Sequence, residues 1–356
     1  MGLMMRRFGV AWCVEAPLPG PEKGLQRGSS AMAQSDGLLF AYLLDGKGGG
    51  RELDWQGIRA WSPSDGVLWV HLDRTGEMAR SWVSNETGID KATTETMLMP
   101  AATRPRVQRI GEALFVVLRG INQNPGEEHD DMVGLHMWVD PGRIITLRRR
   151  RLMAGQAIRD LLLKGVGPRD PSDFLATVAE QLLQPIVPII SDLDDAVDEM
   201  QTELLVSTDK PMRHRLHSIR QEAIALRRYL APQRDAMSRL QTETVSWLGD
   251  LDRAYLRETA DRTLRFVEDL DSIRERAAIA QDELNNRVND QMNRTMYLLT
   301  VVATLLLPAS LLTGLLGINV GGIPGVDSDW GFLAVAILVP GLALLEFLFL
   351  RWMKWI

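Results

Sequence analysis

The chain has 356 residues, a formal net charge of −6, 24% charged residues and 46% hydrophobic residues. These averages are typical of a soluble protein with two or more domains, and the acidic balance argues against a nucleic-acid partner, which would need a basic face. The single cysteine, Cys13, excludes a disulfide framework and a thiolate metal cage. The average conceals an uneven distribution, because the long uninterrupted apolar runs lie near the carboxyl terminus.

The first 165 residues contain a predicted tail and a predicted domain. Residues 1–35 are rich in glycine, proline and serine without a period, which predicts a disordered extension. Residues 36–165 mix strand and helix patterns, which predicts a cytoplasmic α/β domain. The predicted strands are Leu38–Leu44, Val67–Leu72, Ala113–Ile121, Val133–Val139 and Arg143–Leu147, and the predicted helices are Glu77–Thr87 and Lys91–Leu98. Phosphate-loop, dinucleotide, nucleophile-elbow and HExxH motifs are absent from the sequence, so we expect neither an enzyme nor a bound cofactor.

Residues 170–295 predict a long helical stalk. One helix runs from a cap at Ser172 to about Leu205, and a second from Pro211 to Ser246. A third starts near Asp250 and contains neither proline nor glycine before Pro308. Its apolar or small residues recur at coiled-coil-like spacing: Leu256, Ala260, Leu264, Val267, Leu270, Ile273, Ala277, Ala280, Leu284, Val288, Met292 and Thr295. A helix about 100 Å long is not stable alone, so we expect two antiparallel helices and other subunits to cover it.

Two apolar runs follow the stalk. Residues 296–317 carry no charge, and Gly331–Leu350 carries only Glu346 near its end. Each matches the roughly 20 residues that cross a bilayer core as a helix. The alternative is a buried hairpin of a soluble domain, although core helices rarely remain apolar on every side for so long. We therefore predict a first transmembrane helix at 296–317, an extracytoplasmic loop at 318–330 and a second transmembrane helix at 331–352.

Basic residues around these runs predict their orientation. The short loop contains Asp327 and Asp329 but neither lysine nor arginine. The basic flanking residues are Arg287, Arg294, Arg351 and Lys354. Because positive residues stay on the cytoplasmic side, both termini are expected in the cytoplasm, in a multi-pass membrane protein whose spans contact lipids.

A stripe of residues along the first span has the spacing of one helix face. Alternating steps of three and four back from Gly317 reach the positions Gly314, Ser310, Leu307, Ala303, Thr300, Met296 and Asn293. Small residues on one face allow neighbouring membrane helices to approach closely, or leave room for a lumen. The spacing alone favours simple helix packing over a pore, and both interpretations stay open.

Asn319 lies just beyond this span. Its neutral carbonyl oxygen can accept hydrogen bonds from the water shell of a divalent cation, whereas a carboxylate would hold the ion more tightly. The alternative is a helix cap, because asparagine is common just past a helix end.

At these residues the chain resembles the CorA superfamily of divalent-cation transporters, and within it the ZntB zinc transporters. The superfamily motif is Gly-x-Asn at the end of the first of two terminal spans, here Gly317-Ile318-Asn319. Most magnesium-type members have methionine where this chain has Ile318. The segments that further resemble ZntB proteins are residues 103–107, 227–235, 306–314 and 321–325.

The resemblance implies an α+β membrane protein that assembles as a homopentameric funnel. The first spans would line a central pore, with Asn319 forming a ring that contacts hydrated metal cations at the outer mouth. Asn293, Thr300 and Ser310 would be polar positions along the pore, and Met296 and Leu307 would be apolar constrictions. The transported cation would be Zn²⁺, with proton coupling as a further possibility. Pro308 is expected to bend the first span, and Asp327 and Asp329 to concentrate cations at the entrance.

Other features have a simpler interpretation. His214 and His217 could share one helix face for zinc, but the neighbouring arginines favour a solvated face. An acidic loop at 127–131 and a basic run at 148–151 are typical of exposed surfaces, with regulatory metal binding and lipid contact as alternatives. Glu346 is interpreted as snorkelling or packing against another helix, with a proton relay as the alternative. Four asparagines cluster where the long helix meets the first apolar run. They predict either a hydrated vestibule of the pore or a polar collar at the membrane interface: Asn285, Asn286, Asn289 and Asn293.

Three functions remain on this basis. The first is zinc transport, and the second is a magnesium, cobalt or nickel route of the same class. The third is a membrane-tethered signalling protein whose stalk relays a conformational change. A relay requires neither Gly-x-Asn nor a stripe of small residues, so these features favour transport.

Overall fold

The structure is a computed structural model that describes residues 36–99, 104–205, 210–317 and 329–353. The predicted extension at 1–35 therefore lies outside the described residues. Contacts divide the chain into two compact units, Met1–Gln184 with Pro232–Ala260, and Pro185–Ala231 with Asp261–Ile356. The two units are described separately below.

The first unit is built on a seven-stranded sheet in the order β2-β1-β3-β7-β6-β5-β4. The strands are β1 Leu38–Leu44, β2 Gly50–Leu53, β3 Leu68–Asp73, β4 Arg106–Ile110, β5 Ala113–Gly120, β6 Val133–Val139 and β7 Arg143–Arg148. Strands β3 and β7 pair in parallel and the other neighbours pair antiparallel, so the sheet is mixed.

Helices cover both faces of this sheet. The short helices are α1 Trp55–Ala60, α2 Glu77–Asn85, α3 Lys91–Leu98, α4 Met153–Leu163 and α5 Pro171–Leu183. Trp82 of α2 and Met97 of α3 pack in one core cluster with Val117 of β5. On the other face, the rings of Trp69 and Phe174 meet edge to face at 5.0 Å. Because both faces are covered, all eight residues of β5 are buried, and the predicted α/β domain is confirmed.

Most of the predicted strands and short helices are confirmed to within two residues. Strands β2 and β4 and helices α1 and α4 were not predicted. In β4, Val107 is buried while its neighbours Arg106 and Gln108 are exposed, so the strand carries little apolar signal.

The remaining helices are α6 Ile186–Leu204, α7 Lys210–Leu240, α8 Asp250–Leu316 and α9 Gly331–Trp352. The expectation of one helix from Ser172 to Leu205 was wrong. The chain turns at Gln184 and Pro185, and proline has no N–H with which to continue the helix ladder. The second predicted helix ends at Leu240 instead of Ser246, and residues 241–249 form two turns joined by irregular segments.

In the second unit, α6 and α7 both lie against the 67-residue helix α8. Arg276 of α8 pairs with Asp194 and Asp198 of α6. Arg213 at the start of α7 donates to Asn285 of α8 at 2.6 Å, and Arg227 further along α7 pairs with Asp271 at 2.7 Å. Residue numbers rise along α7 as they fall along α8, so these two helices are antiparallel.

The predicted stalk stripe is buried along much of its length. Val267, Leu270, Ala277 and Leu284 are buried in the second unit. Beyond Leu284 the stripe becomes exposed, and Met292 is 58% exposed. The change in exposure falls just before the first apolar run.

Among the described residues, three helical segments are long and apolar enough to cross a membrane on length and composition. They are Pro171–Leu204, which comprises α5 and α6 with the turn between them, Asp250–Leu316 and Gly331–Trp352. The first was not predicted as a span, and half of its apolar window is buried inside the protein. The apolar windows of the other two are 0% and 6% buried. The first segment is therefore apolar because it supplies core, whereas the other two have almost no protein around them.

Candidate functional site: two stripes on the first apolar helix

The apolar end of α8 has two different faces. Residues that are half-buried within the chain form what we call the covered stripe. Its members are Val301, Leu305, Pro308, Ala309 and Leu312. Since an α-helix turns by about 100° per residue, these five positions lie on one side of the helix.

The opposite side carries all the positions that the sequence predicts to line a pore, and we call it the open stripe. Its members are Asn293, Met296, Thr300, Ala303, Leu307, Ser310, Gly314 and Gly317, and every one of them is exposed. The centre of the open stripe lies about 180° from the centre of the covered stripe. The face chosen by spacing is thus the face that the rest of this chain leaves uncovered.

Glycine at position 314 is not required by packing within the chain. A Cβ atom built on Gly314 would meet nothing within 4 Å, and one on Gly317 would approach the Thr313 carbonyl oxygen at 3.2 Å. The small residues on this part of the helix therefore leave space that this single chain does not use. Close approach of another helix, or a lumen, would use that space.

The hydroxyl of Thr300 on the open stripe is satisfied by its own helix. Its Oγ1 donates to the Met296 carbonyl oxygen at 2.8 Å. Thr304 and Thr313 make the same bond one turn back, to Thr300 and Ala309. The hydroxyl oxygens retain acceptor capacity after this donation, so Thr300 can accept a hydrogen bond from water on the open stripe.

Pro308 lies on the covered stripe and not on the open stripe. The helix nevertheless runs without interruption from Asp250 to Leu316. Because proline lacks an N–H, the carbonyl oxygen of Thr304 receives no helical bond from residue 308. The bend expected at Pro308 stays a prediction.

Helix α9 has one half-buried stripe of its own. Its members are Gly331, Val335, Val339, Leu342, Ala343, Glu346 and the buried Leu350. One carboxylate oxygen of Glu346 is buried and makes no hydrogen bond. Packing toward another helix, one of the interpretations given above, agrees with this position.

The central residues of the predicted motif lie outside the described residues. This applies to Ile318, Asn319 and Asp327. Gly317 directly follows α8 and is described, and Asp329 is exposed just before α9. The N–H of Gly317 donates to the Thr313 carbonyl oxygen at 3.0 Å, so helical bonding reaches the first residue of the motif.

The two alternative metal sites in the stalk and the α/β domain are not supported. Within residues 36–99, 104–205, 210–317 and 329–353, no group of three or more histidine, cysteine, aspartate or glutamate side chains is placed to hold a metal ion. His217 lies 3.3 Å from Gln221, the neighbouring residue one turn along α7. In the acidic loop, Glu127 and Asp131 both pair with Arg150 at 2.7 Å. Arg150 of the basic run therefore offsets two carboxylates of the acidic loop.

Two buried polar contacts in the first unit were not predicted. Gln233 of α7 is fully buried, accepts a hydrogen bond from the Arg119 N–H at 2.7 Å and donates to the Arg119 carbonyl oxygen at 3.0 Å. His71 lies 2.7 Å from the Thr146 hydroxyl. Burial lowers the pKa of His71 to about 3. Both contacts join residues far apart in sequence, so no local spacing could indicate them.

Comparisons with known proteins agree on one family. The family model described as CorA-like Mg²⁺ transporter protein matches residues 64–352. The divalent cation transporter CmaX of Pseudomonas aeruginosa is 39% identical over 90% of this chain and 97% of its own length. The zinc transport protein ZntB of Pectobacterium atrosepticum is 37% identical over 87% of this chain and 94% of its own. The solved structure of full-length CmaX has a TM-score of 0.78 and 38% identity, covering 90% of this chain and 99% of that one.

Proposed function

The chain belongs to the CorA-like Mg²⁺ transporter protein family, and we propose that it carries divalent metal cations, chiefly Zn²⁺, across the bacterial inner membrane. The resemblance drawn from Gly317-Ile318-Asn319 and its neighbouring segments is confirmed by the family match. Zinc is favoured because relatives that align over almost their whole length are named zinc transport proteins. These relatives and CmaX are named as transporters and not as enzymes.

The open stripe is the observation that carries the proposal. A helix that crosses a membrane by itself would present Thr300 and Ser310 to lipid, where exposed polar groups are unfavourable. Five copies with these stripes facing a common axis would place the polar groups around a water-filled path. The covered stripe would then face the outer ring of α9 helices. The homopentamer is inferred from this pattern and from the family.

Asn319 is proposed to form the ring that selects cations. Five amide oxygens at the outer mouth would accept hydrogen bonds from the hydration shell of a divalent ion without binding it irreversibly. Asp327 and Asp329 would raise the local cation concentration at the same mouth. Below the ring, Met296 and Leu307 would narrow the path, and Pro308 would allow the helix to bend.

The membrane topology follows from the charges at the ends of the apolar helices. Residues 296–317 and 331–352 would span the bilayer, and 318–330 would connect them outside. Arg287 and Arg294 before the first span and Arg351 after the second would hold both termini in the cytoplasm. Trp330 and Trp352 are 73% and 79% exposed, as expected of aromatic residues at a membrane interface.

Magnesium is the second candidate cargo, because the family description names Mg²⁺. Ring oxygens that contact only the hydration shell do not separate one small divalent ion from another on their own. Flux into liposomes containing purified protein, compared for zinc, magnesium, cobalt and nickel, would rank them. Repeating the zinc measurement with and without a pH gradient tests proton coupling.

The Asn319→Ala variant tests the pore. We expect it to abolish zinc flux while the oligomer keeps its size on gel filtration, because the variant removes the amide oxygens at the mouth. Asn85→Ala, which truncates an exposed amide in α2, is the matched control and should keep full flux. Wild-type flux in Asn319→Ala would contradict the proposed pore mouth.

A further inference from the structure

The two helices that lie against α8 in the second unit carry opposite charge. Helix α6 contains six acidic residues and no basic residue, whereas helix α7 contains eight basic residues and two acidic ones. Part of this charge is used within the chain, where Arg215 of α7 pairs with Glu199 at 2.8 Å and with Glu203 at 3.5 Å. These pairs join the facing sides of α6 and α7, and each helix has a second side that borders α8.

The side of α7 that borders α8 is basic, and we call it the basic edge. Its members are Arg213, Arg220, Ile224 and Arg227. Arg213 and Arg227 identify this side, because they bind Asn285 and Asp271 of α8. Arg220 lies seven residues from each of them, almost two full turns, so it shares their side and is exposed there. Because Arg213 binds a neutral amide, it keeps its full charge.

The side of α6 that borders α8 is acidic, and we call it the acidic edge. Its members are Asp194 and Asp198 of α6 together with Ile279 of α8. Both carboxylates bind one guanidinium, that of Arg276 of α8, which also donates to Gln201 at 3.1 Å. Ile279 lies about one turn beyond Arg276 and therefore on the same side of the helix. All three members of this edge are exposed.

The two edges lie on different flanks of α8 and at the same height. Arg276 and Asp271 are five residues apart, so the contacts to α6 and to α7 are about 140° apart around α8. Arg220 is midway between the two α7 residues that bind Asn285 and Asp271, which places it beside Ala278. The carboxylates of the acidic edge lie beside Arg276. The difference of two helical residues corresponds to about 3 Å.

The acidic edge keeps negative charge after its contacts within the chain. Its two carboxylates outnumber the one guanidinium that binds them. The pKa of Asp269 in α8 is raised by burial first and then by the charge of Asp194, with Arg265 opposing. The charge of Asp194 therefore still acts on neighbouring groups. Each edge also exposes one isoleucine, Ile224 at 45% and Ile279 at 59%.

We propose that the basic edge of one copy docks against the acidic edge of the next copy in the ring, an inference that rests on the proposed homopentamer. In a ring built by rotation about one axis, each copy presents one surface to the copy on its left and a different surface to the copy on its right. Rotation about an axis along the stalk does not shift a copy along it, so edges at equal height meet. Arg220 then pairs with Asp194 and Asp198 of the next copy, and Ile224 packs beside Ile279.

This docking would act outside the cation path. Complementary charges fix which surfaces meet, and in which register, more than they add affinity. The docking would therefore give each pair of α6 and α7 helices a second attachment besides its own α8. It would also exclude arrangements in which two basic edges or two acidic edges face each other.

Cross-linking between copies tests the docking. Ile224→Cys and Ile279→Cys are combined in one full-length chain in a Cys13→Ser background, placed in phosphatidylcholine liposomes and treated with a short bismaleimide. Because every copy carries both edges, we expect a ladder of covalent multimers on a denaturing gel. Either single-cysteine variant should stay monomeric, because neither edge meets itself. The matched control pair, Asp195→Cys with Gln221→Cys, lies at about the same height on adjacent helix faces and should also stay monomeric.

A charge reversal tests the ionic part of the docking. Arg220→Glu places like charges opposite each other and should slow cross-linking of the cysteine pair by about twofold to fivefold, the loss expected for an exposed ion pair. High salt should slow the unreversed pair in the same direction. Gln221→Glu adds a negative charge on the adjacent exposed face and should leave the rate unchanged.

The outcomes separate the docking from the proposed transport. Absence of multimers in a protein that keeps its oligomeric size on gel filtration and its zinc flux would overturn the docking alone. Dimers from a single-cysteine variant, or an unchanged rate in Arg220→Glu, would overturn it as well. Monomeric protein without zinc flux would contradict the proposed function together with the docking.

Discussion

Strand β5 and helix α9 are both strongly apolar, yet their surroundings are opposite. All eight residues of β5 are buried. Among the 22 residues of α9, Leu350 is the one that is buried. The first unit completes its core within a single chain, whereas the apolar helices leave most of their surface for lipid and for other copies of the chain. Apolar sequence therefore has two different structural uses in this molecule.

Truncation of one leucine in each region should give the largest difference. Leu118→Ala removes a fully buried side chain from β5 and should lower the free energy of unfolding by about 2–5 kcal/mol. Leu338 of α9 is 53% exposed, so Leu338→Ala should lower it by much less. Chemical denaturation of the full-length protein in detergent, followed by tryptophan fluorescence, measures both. Equal losses would contradict the contrast between the two regions.

Acidification should destabilise the sheet unit through its buried histidines. The pKa values of His71 and His136 are lowered to about 3 and about 4 by burial, so the unfolded chain takes up protons below about pH 6.5 while the folded unit does not. Stability is therefore complete above that pH and declines as the pH falls. At pH 5 the loss should be about 2 kcal/mol for each histidine.

Denaturation midpoints between pH 7.5 and pH 5 check this prediction. The His136→Gln variant should show a smaller decline than the wild type, because one of the two titrating groups is gone. An equally steep decline in that variant would show that other groups are responsible.

Removal of the Gln233 side chain should have a smaller effect. Gln233→Leu keeps the side-chain volume but leaves the N–H and carbonyl oxygen of Arg119 without these partners. We expect a loss of about 1–3 kcal/mol in the free energy of unfolding. Gln221→Leu changes an exposed residue of the same helix and should be nearly neutral in the same denaturation assay.

The sequence predicted regions with a periodic apolar pattern well. Strands β1 and β6 and helix α3 were predicted with their observed bounds. Strand β2 was missed because its residues Gly50–Leu53 lie at the sheet edge and are at most half-buried. The break between α5 and α6 was missed because apolar residues continue on both sides of Pro185. Local apolar patterns indicate which residues are buried. Strand β2 has few buried residues, and the break at Pro185 has buried residues on both sides, so neither feature changes the local pattern.

The candidate site was predictable only in part. Spacing identified the eight positions of the open stripe because one helix face needs no long-range information. The pairing of the acidic loop with Arg150 could not be predicted, because it depends on where β5, β6 and β7 end in space.

Water access to adjacent positions of the first apolar helix tests the proposed pore most directly. Single cysteines are introduced as Ala303→Cys on the open stripe and Val302→Cys beside it, both in a Cys13→Ser background. Both positions are exposed in the single chain, but they point about 100° apart. We predict that a membrane-impermeant, cationic methanethiosulfonate blocks zinc flux through Ala303→Cys liposomes and leaves Val302→Cys flux unchanged. Block of both variants alike, or of Val302→Cys alone, would contradict a pore lined by the open stripe.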